Sequence, residues 1–132
     1  MNEAAMKQYQ SVGVQTGVQS ASPHQLISML FSGAIDRISA AKGAIERDEV
    51  GRKGELIGRA IEIIDNLRAA LDHEKGGDIS ASLVSLYDYM EQTLVEANLD
   101  SDLVKLGEVG ALLTEIQTAW DDIPLEQRVM PA

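Results

Sequence analysis

A chain of 132 residues, 45% of them hydrophobic, is long enough to bury one core without metal or disulfide staples, so a single domain spanning residues 1–132 is expected. It contains no cysteine, which removes disulfides, thiolate metal sites and cysteine nucleophiles and points to a reducing, cytoplasmic setting. A formal net charge of -10 opposes attraction to a phosphate backbone or an anionic lipid surface, so neither nucleic acid nor a membrane is an expected partner.

Aromatic residues make up only 4% of the chain, and much of the apolar remainder is Leu, Ile, Ala and Met, which favour helix. The first residues show no basic region followed by an apolar run, and nowhere do about eighteen apolar residues occur together. Neither a signal peptide nor a membrane span is expected.

Residues 1–20 place Met6, Tyr9, Val12, Val14 and Val18 among Gln, Ser, Thr and Gly. Gly13 and Gly17 work against a helix beyond about Ser11, so this segment reads as a short, mobile arm. Ser22-Pro23-His24-Gln25 is a capping box with Pro at the first helical position. The helix it starts carries Ile27, Leu30, Phe31, Ala34, Ile38, Ala41 and Ile45 on one stripe through about Arg47.

Gly51, Gly54 and Gly58 weaken the start of a second helix, whose pattern is clear only from Leu56. Ile57, Ala60, Ile61, Ile64, Leu67 and Leu71 carry it to an end near Glu74. The turn Glu74-Lys75-Gly76-Gly77-Asp78 then links two antiparallel helices, with Asp78 opening the third. That helix collects Ile79, Leu83, Leu86, Tyr87, Met90, Leu94 and Ala97 on its inward face and ends at Asn98. Asp100 or Ser101 caps a fourth helix bearing Leu106, Val109, Leu113, Ile116 and Trp120, which stops before Pro124. Residues 125–132 read as a loose tail. The expected fold is all-α, an antiparallel four-helix bundle with a short N-terminal arm.

Two helices have wider apolar faces than one side of a bundle requires. Leu26, Met29, Gly33 and Ala40 flank the first stripe, and Leu56, Ile63 and Ala70 flank the second, widening its apolar arc to roughly 180°. These seven positions are the candidate groove for an amphipathic or unfolded partner segment, with the arm as a displaceable cover. Packing against crossing neighbours or against the arm is the competing explanation at each position.

Chemistry finds little support. The histidines, His24 and His73, lack the Glu-x-x-His spacing of a bundle di-metal site, and Asp72-His73-Glu74 and Asp121-Asp122 read as solvated helix ends. The glycines match no phosphate-cradling loop, and no serine has a recognisable hydrolase context. No catalytic residue, metal or cofactor is assigned. Tyr87 falls on the core stripe, with its hydroxyl expected to reach a polar partner, while Tyr89 points away as ordinary surface or part of a docking face.

These residues resemble the flagellin-binding flagellar secretion chaperone family. The resemblance is carried by Tyr9, Ser20-Ala21-Ser22-Pro23-His24-Gln25-Leu26-Ile27, Met29-Leu30-Phe31, Lys53-Gly54 and Ala60-Ile61-Glu62-Ile63-Ile64-Asp65. It continues through Leu71 to Ile79, Leu83, Leu86-Tyr87-Asp88-Tyr89-Met90, Ala97-Asn98, Leu112-Leu113 and Ala119-Trp120, with the Gly-Gly to Tyr-Asp-Tyr-Met block the most specific part. It implies a cytoplasmic bundle that holds the disordered C-terminal region of flagellin, prevents premature polymerisation and delivers it to the membrane gate protein of the flagellar type III export apparatus. It also implies a mobile arm in which Met6 and Tyr9 dock to that gate protein.

Ser32 departs from the family pattern, where many relatives have Asp, and puts a local polar contact in doubt. Leu56→Asp or Ile63→Asp is expected to weaken flagellin binding while helicity persists. The rival reading is a self-associating structural bundle whose surplus apolar surface forms a homodimer interface.

Overall fold

The computed structural model describes residues 21–127, which contain helices and no strand. Helix α1 spans Pro23–Glu46, α2 Val50–Ala69, α3 His73–Asp100 and α4 Leu103–Asp121, followed by a short 3-10 turn at Leu125–Gln127. Short connections turn each helix back on the last. α1 and α3 each pack between α2 and α4, so the four close into an antiparallel ring in chain order. The core holds Leu30, Phe31 and Ile38 of α1, Ile57 and Ile64 of α2, Met90 and Leu94 of α3, and Leu106, Val109 and Leu113 of α4.

The start of α1 follows the expected chemistry. Ser22 Oγ accepts from the Gln25 backbone N–H at 3.1 Å, and the Gln25 side chain accepts from the Ser22 backbone N–H at 2.7 Å. Several other boundaries differ from the expectation.

Helix α2 begins at Val50, ahead of the clear pattern, with Gly51, Gly54 and Gly58 inside it. Lys53 supplies the reason: only 7% exposed, its Nζ donates to the Asn98 carbonyl at 2.8 Å and to Ser101 Oγ at 2.9 Å. Pinning this turn to the end of α3 offsets a glycine cost of about 1 kcal/mol per residue.

The link between α2 and α3 lies earlier than the glycine pair. α2 ends at Ala69, and Asp72 caps α3 by accepting from the backbone N–H groups of Glu74 and Lys75 at 3.1 and 3.0 Å. One helical turn follows, and Gly77, with φ 48° and ψ -121°, kinks the chain inside α3. The long part of α3 still begins at Asp78, directly after the kink, but Ile79, expected to face inward, emerges from it 72% exposed. At Gly76 an added Cβ would lie 1.9 Å from Ser80 Oγ, which donates to the Asp72 carbonyl at 3.0 Å.

α3 also runs past Asn98 to Asp100, where Ser101 ends it in the left-handed region at φ 49°. Asp102, rather than Asp100 or Ser101, caps α4, accepting from the backbone N–H groups of Val104 and Lys105 at 2.9 and 3.1 Å. Part of the expected loose tail is the 3-10 turn, closed by the Gln127 N–H donating to the Pro124 carbonyl at 2.8 Å. The arm at 1–20 and residues 128–132 lie outside the described residues.

Candidate functional site

The seven groove candidates divide between two places. Helical phase puts Leu26, Met29, Gly33 and Ala40 on the side of α1 that meets α2, and Leu56 and Ile63 on the side of α2 that meets α1. These two helices share the most extensive helix pairing among the described residues. Leu26, Leu56 and Ile63 are 3%, 8% and 4% exposed and Gly33 is buried, so the inner edge of the row is covered. Met29 is half-buried and Ala40 exposed, and Ala40 and Leu56 line a shallow recess with Asp36, Arg37, Arg52 and Arg59. Met6 and Tyr9 fall outside the described residues.

Ala70 belongs to an apolar cleft at the other end of the ring, bounded by Phe31, Leu67, Leu83, Tyr87, Ile116 and Trp120. Leu83, Ile116 and Trp120 also line a recess on the outer surface with Ile79, Ala119 and Ile123. Periodicity read Phe31, Tyr87, Ile116 and Trp120 as core. What it missed is that space remains among them beside Ala70.

His24 and Trp120 close this end. Their rings stack with centroids 4.5 Å apart and planes 7° from parallel. His24 Nε2–H donates to the Trp120 carbonyl at 2.7 Å, while Trp120 Nε1–H donates to the His24 carbonyl at 2.9 Å. Beside them Gln117 Nε2 donates to the Ser28 carbonyl at 3.1 Å and to Ser32 Oγ at 2.7 Å, so serine supplies the polar contact at this position.

Burial pushes the Tyr87 phenol up to about 12, with no hydrogen-bonding side chain contributing. Tyr89 is 46% exposed, and its hydroxyl donates to Glu108, which raises its pKa. Arg68 Nη2 meets Asp65 of its own helix at 3.5 Å and, across the α2–α3 seam, Asp88 at 2.8 Å and Glu91 at closer range. Burial first, then the neighbouring Asp65 carboxylate, pushes Glu91 up to about 7.

Among the described residues no group of three His, Cys, Asp or Glu is arranged to hold a metal ion, and no helix is long and apolar enough to cross a membrane. The candidate row itself is made of aliphatic and small residues, with Asp36, Arg37, Arg52 and Arg59 beside Ala40 and Leu56.

Known proteins resemble this chain over most of its length. The family model described as flagellar protein FliS matches residues 5–127. The chain is 50% identical over 119 residues to the flagellar secretion chaperone FliSB of Pseudomonas aeruginosa, covering 90% of this chain and 94% of the relative. It is 48% identical over 121 residues to the flagellar secretion chaperone FliS of Salmonella typhimurium, covering 91% and 90% of the two chains. The Vibrio cholerae FliS is 38% identical over 128 residues, covering 97% and 94%. With a four-helix bundle and a family match running over residues 5–127, the chain belongs to the FliS family of flagellar secretion chaperones.

Proposed function

We propose that this protein is a cytoplasmic export chaperone and not an enzyme, and that it holds the disordered C-terminal segment of flagellin along the α1–α2 seam. Holding that segment prevents premature polymerisation, and the arm bearing Met6 and Tyr9 docks the complex at the membrane gate protein of the flagellar type III export apparatus. The observation that carries this reading is the second aliphatic row beside the core stripe of α1 and α2. Ala40 leaves that row shallow where it meets Leu56, a shape suited to larger side chains of an incoming helix. A client that orders on binding must bury on the order of 1,000 to 3,000 Å² to outweigh its own ordering, so its contacts extend beyond the exposed edge of this row.

Co-purification with flagellin, with and without its last segment, tests the proposal. A one-to-one complex with intact flagellin that is lost on truncation is expected. A constitutive dimer indifferent to a flagellin C-terminal peptide would instead favour the structural bundle. Leu56 and Ile63 are buried, so Asp at either position perturbs the fold as well as the seam. Ala40→Asp is the cleaner probe, because Ala40 is exposed; it should weaken binding about tenfold while helicity is unchanged.

A further inference from the structure

The end of the ring farthest from His24 and Trp120 displays aliphatic side chains that the bundle does not use. Val50 opens α2 at 70% exposure, Leu99 closes α3 at 78%, and Leu103 and Val104 open α4 at 40% and 80%. These segments share one end of the molecule. Lys53 ties the start of α2 to the last turn of α3, and a Cβ on Gly107 of α4 would lie 3.3 Å from Lys42 Nζ of α1.

The backbone presenting them is fixed. Asp48 and Ser101, at φ 56° and 49°, hold both turns in the left-handed region. The Glu49 N–H donates to the Ala44 carbonyl at 2.8 Å, and the Asp102 N–H to the Ala97 carbonyl at 3.0 Å. Aliphatic side chains on a fixed frame lose little conformational freedom when covered.

Charge selects the occupant. Glu46, Asp48 and Asp100 stand at this end and form no salt bridge among the described residues. Of the cations here, Lys53 is buried, Arg47 pairs with Glu49 at 2.9 Å, Arg52 with Glu55 at 3.8 Å and Lys105 with Glu96 at 3.1 Å, which leaves half-buried Lys42 against the three carboxylates. Apolar residues among unpaired carboxylates match a helix with an apolar stripe flanked by Lys or Arg, and repel an acidic one. We propose that this end of the bundle is a docking surface for a basic amphipathic helix of another protein. It lies apart from the Ala70 cleft and does not depend on what occupies the α1–α2 seam.

Anisotropy titration of the full chain with a labelled synthetic Leu/Lys helix at physiological salt, against a Leu/Glu helix of the same pattern, tests this. The Leu/Lys helix should bind, and Leu99→Asp/Val104→Asp should weaken it about tenfold or more while helical circular dichroism is unchanged. Val50→Asp, on a different element, should also weaken it. Ile79→Asp, at the opposite end, should leave it unaltered, which separates docking here from general attraction to an acidic protein. The proposal is overturned by absence of binding to the wild-type chain, by equal binding of the acidic helix, or by full binding to the Leu99/Val104 variant. Self-association of the wild-type chain that those same substitutions abolish would also overturn it, since a second copy would then be the occupant.

Discussion

His24 and Trp120, 96 residues apart, hold each other at three points: stacked rings and two reciprocal bonds from ring N–H to backbone carbonyl. Removing either ring unseals the same joint between the start of α1 and the end of α4. Trp120→Ala should destabilise the fold by about 2 to 4 kcal/mol, less than a fully enclosed ring because Trp120 keeps partial solvent contact. Urea unfolding followed by circular dichroism measures it. A double-mutant cycle with His24→Ala should return a coupling of roughly 1 to 2 kcal/mol, as expected for directly touching residues.

Lys53 carries a different kind of joint, a buried ammonium at the C-terminal end of α3. Lys53→Met retains most of the apolar stem and deletes the charge, leaving the Asn98 carbonyl and Ser101 hydroxyl without their donor. A loss of about 2 to 3 kcal/mol is expected. Faster amide exchange should be concentrated at the α3–α4 turn and the first turn of α2.

The Arg68 cluster makes stability depend on pH. Glu91 keeps its proton in the folded chain up to about pH 7 and in the unfolded chain only to its usual 4.5. Between those values the folded state binds more protons, so stability falls as pH rises through that window. Glu91→Gln should flatten this slope in melting temperatures collected from pH 4.5 to 8, the range that spans both values. An unchanged slope would show that Glu91 titrates normally.

Gly76 faces a steric limit. Gly76→Ala drives a methyl into Ser80, which is itself buried and bonded to Asp72, and should cost about 1 to 3 kcal/mol. Pairing it with Ser80→Gly should recover part of that loss. Without such recovery, the crowding lies elsewhere in the kink.

Local chemistry was legible where one short segment decides the outcome. Ser22 and Gln25 announce the start of α1, and the 3.6-residue recurrence of Leu106, Val109 and Leu113 announces the buried face of α4. The Asp72 cap was hidden because Ala69, Ala70 and Leu71 are good helix formers, while the pair Gly76-Gly77 is a stronger stop signal. Lys53 and His24 were unreadable for another reason: their partners lie 45 and 96 residues away. For the groove, periodicity found the apolar row but could not distribute it between helix neighbours, and Leu26, Leu56 and Ile63 proved covered where Ala40 did not.

The ring closes in chain order, so three of its four seams join consecutive helices and form between residues near one another in sequence. The fourth joins α1 to α4 and waits for the last helix. During synthesis the nascent chain is therefore an open ribbon of hairpins until Trp120 has left the ribosome, and only then can the first helix find its second flank.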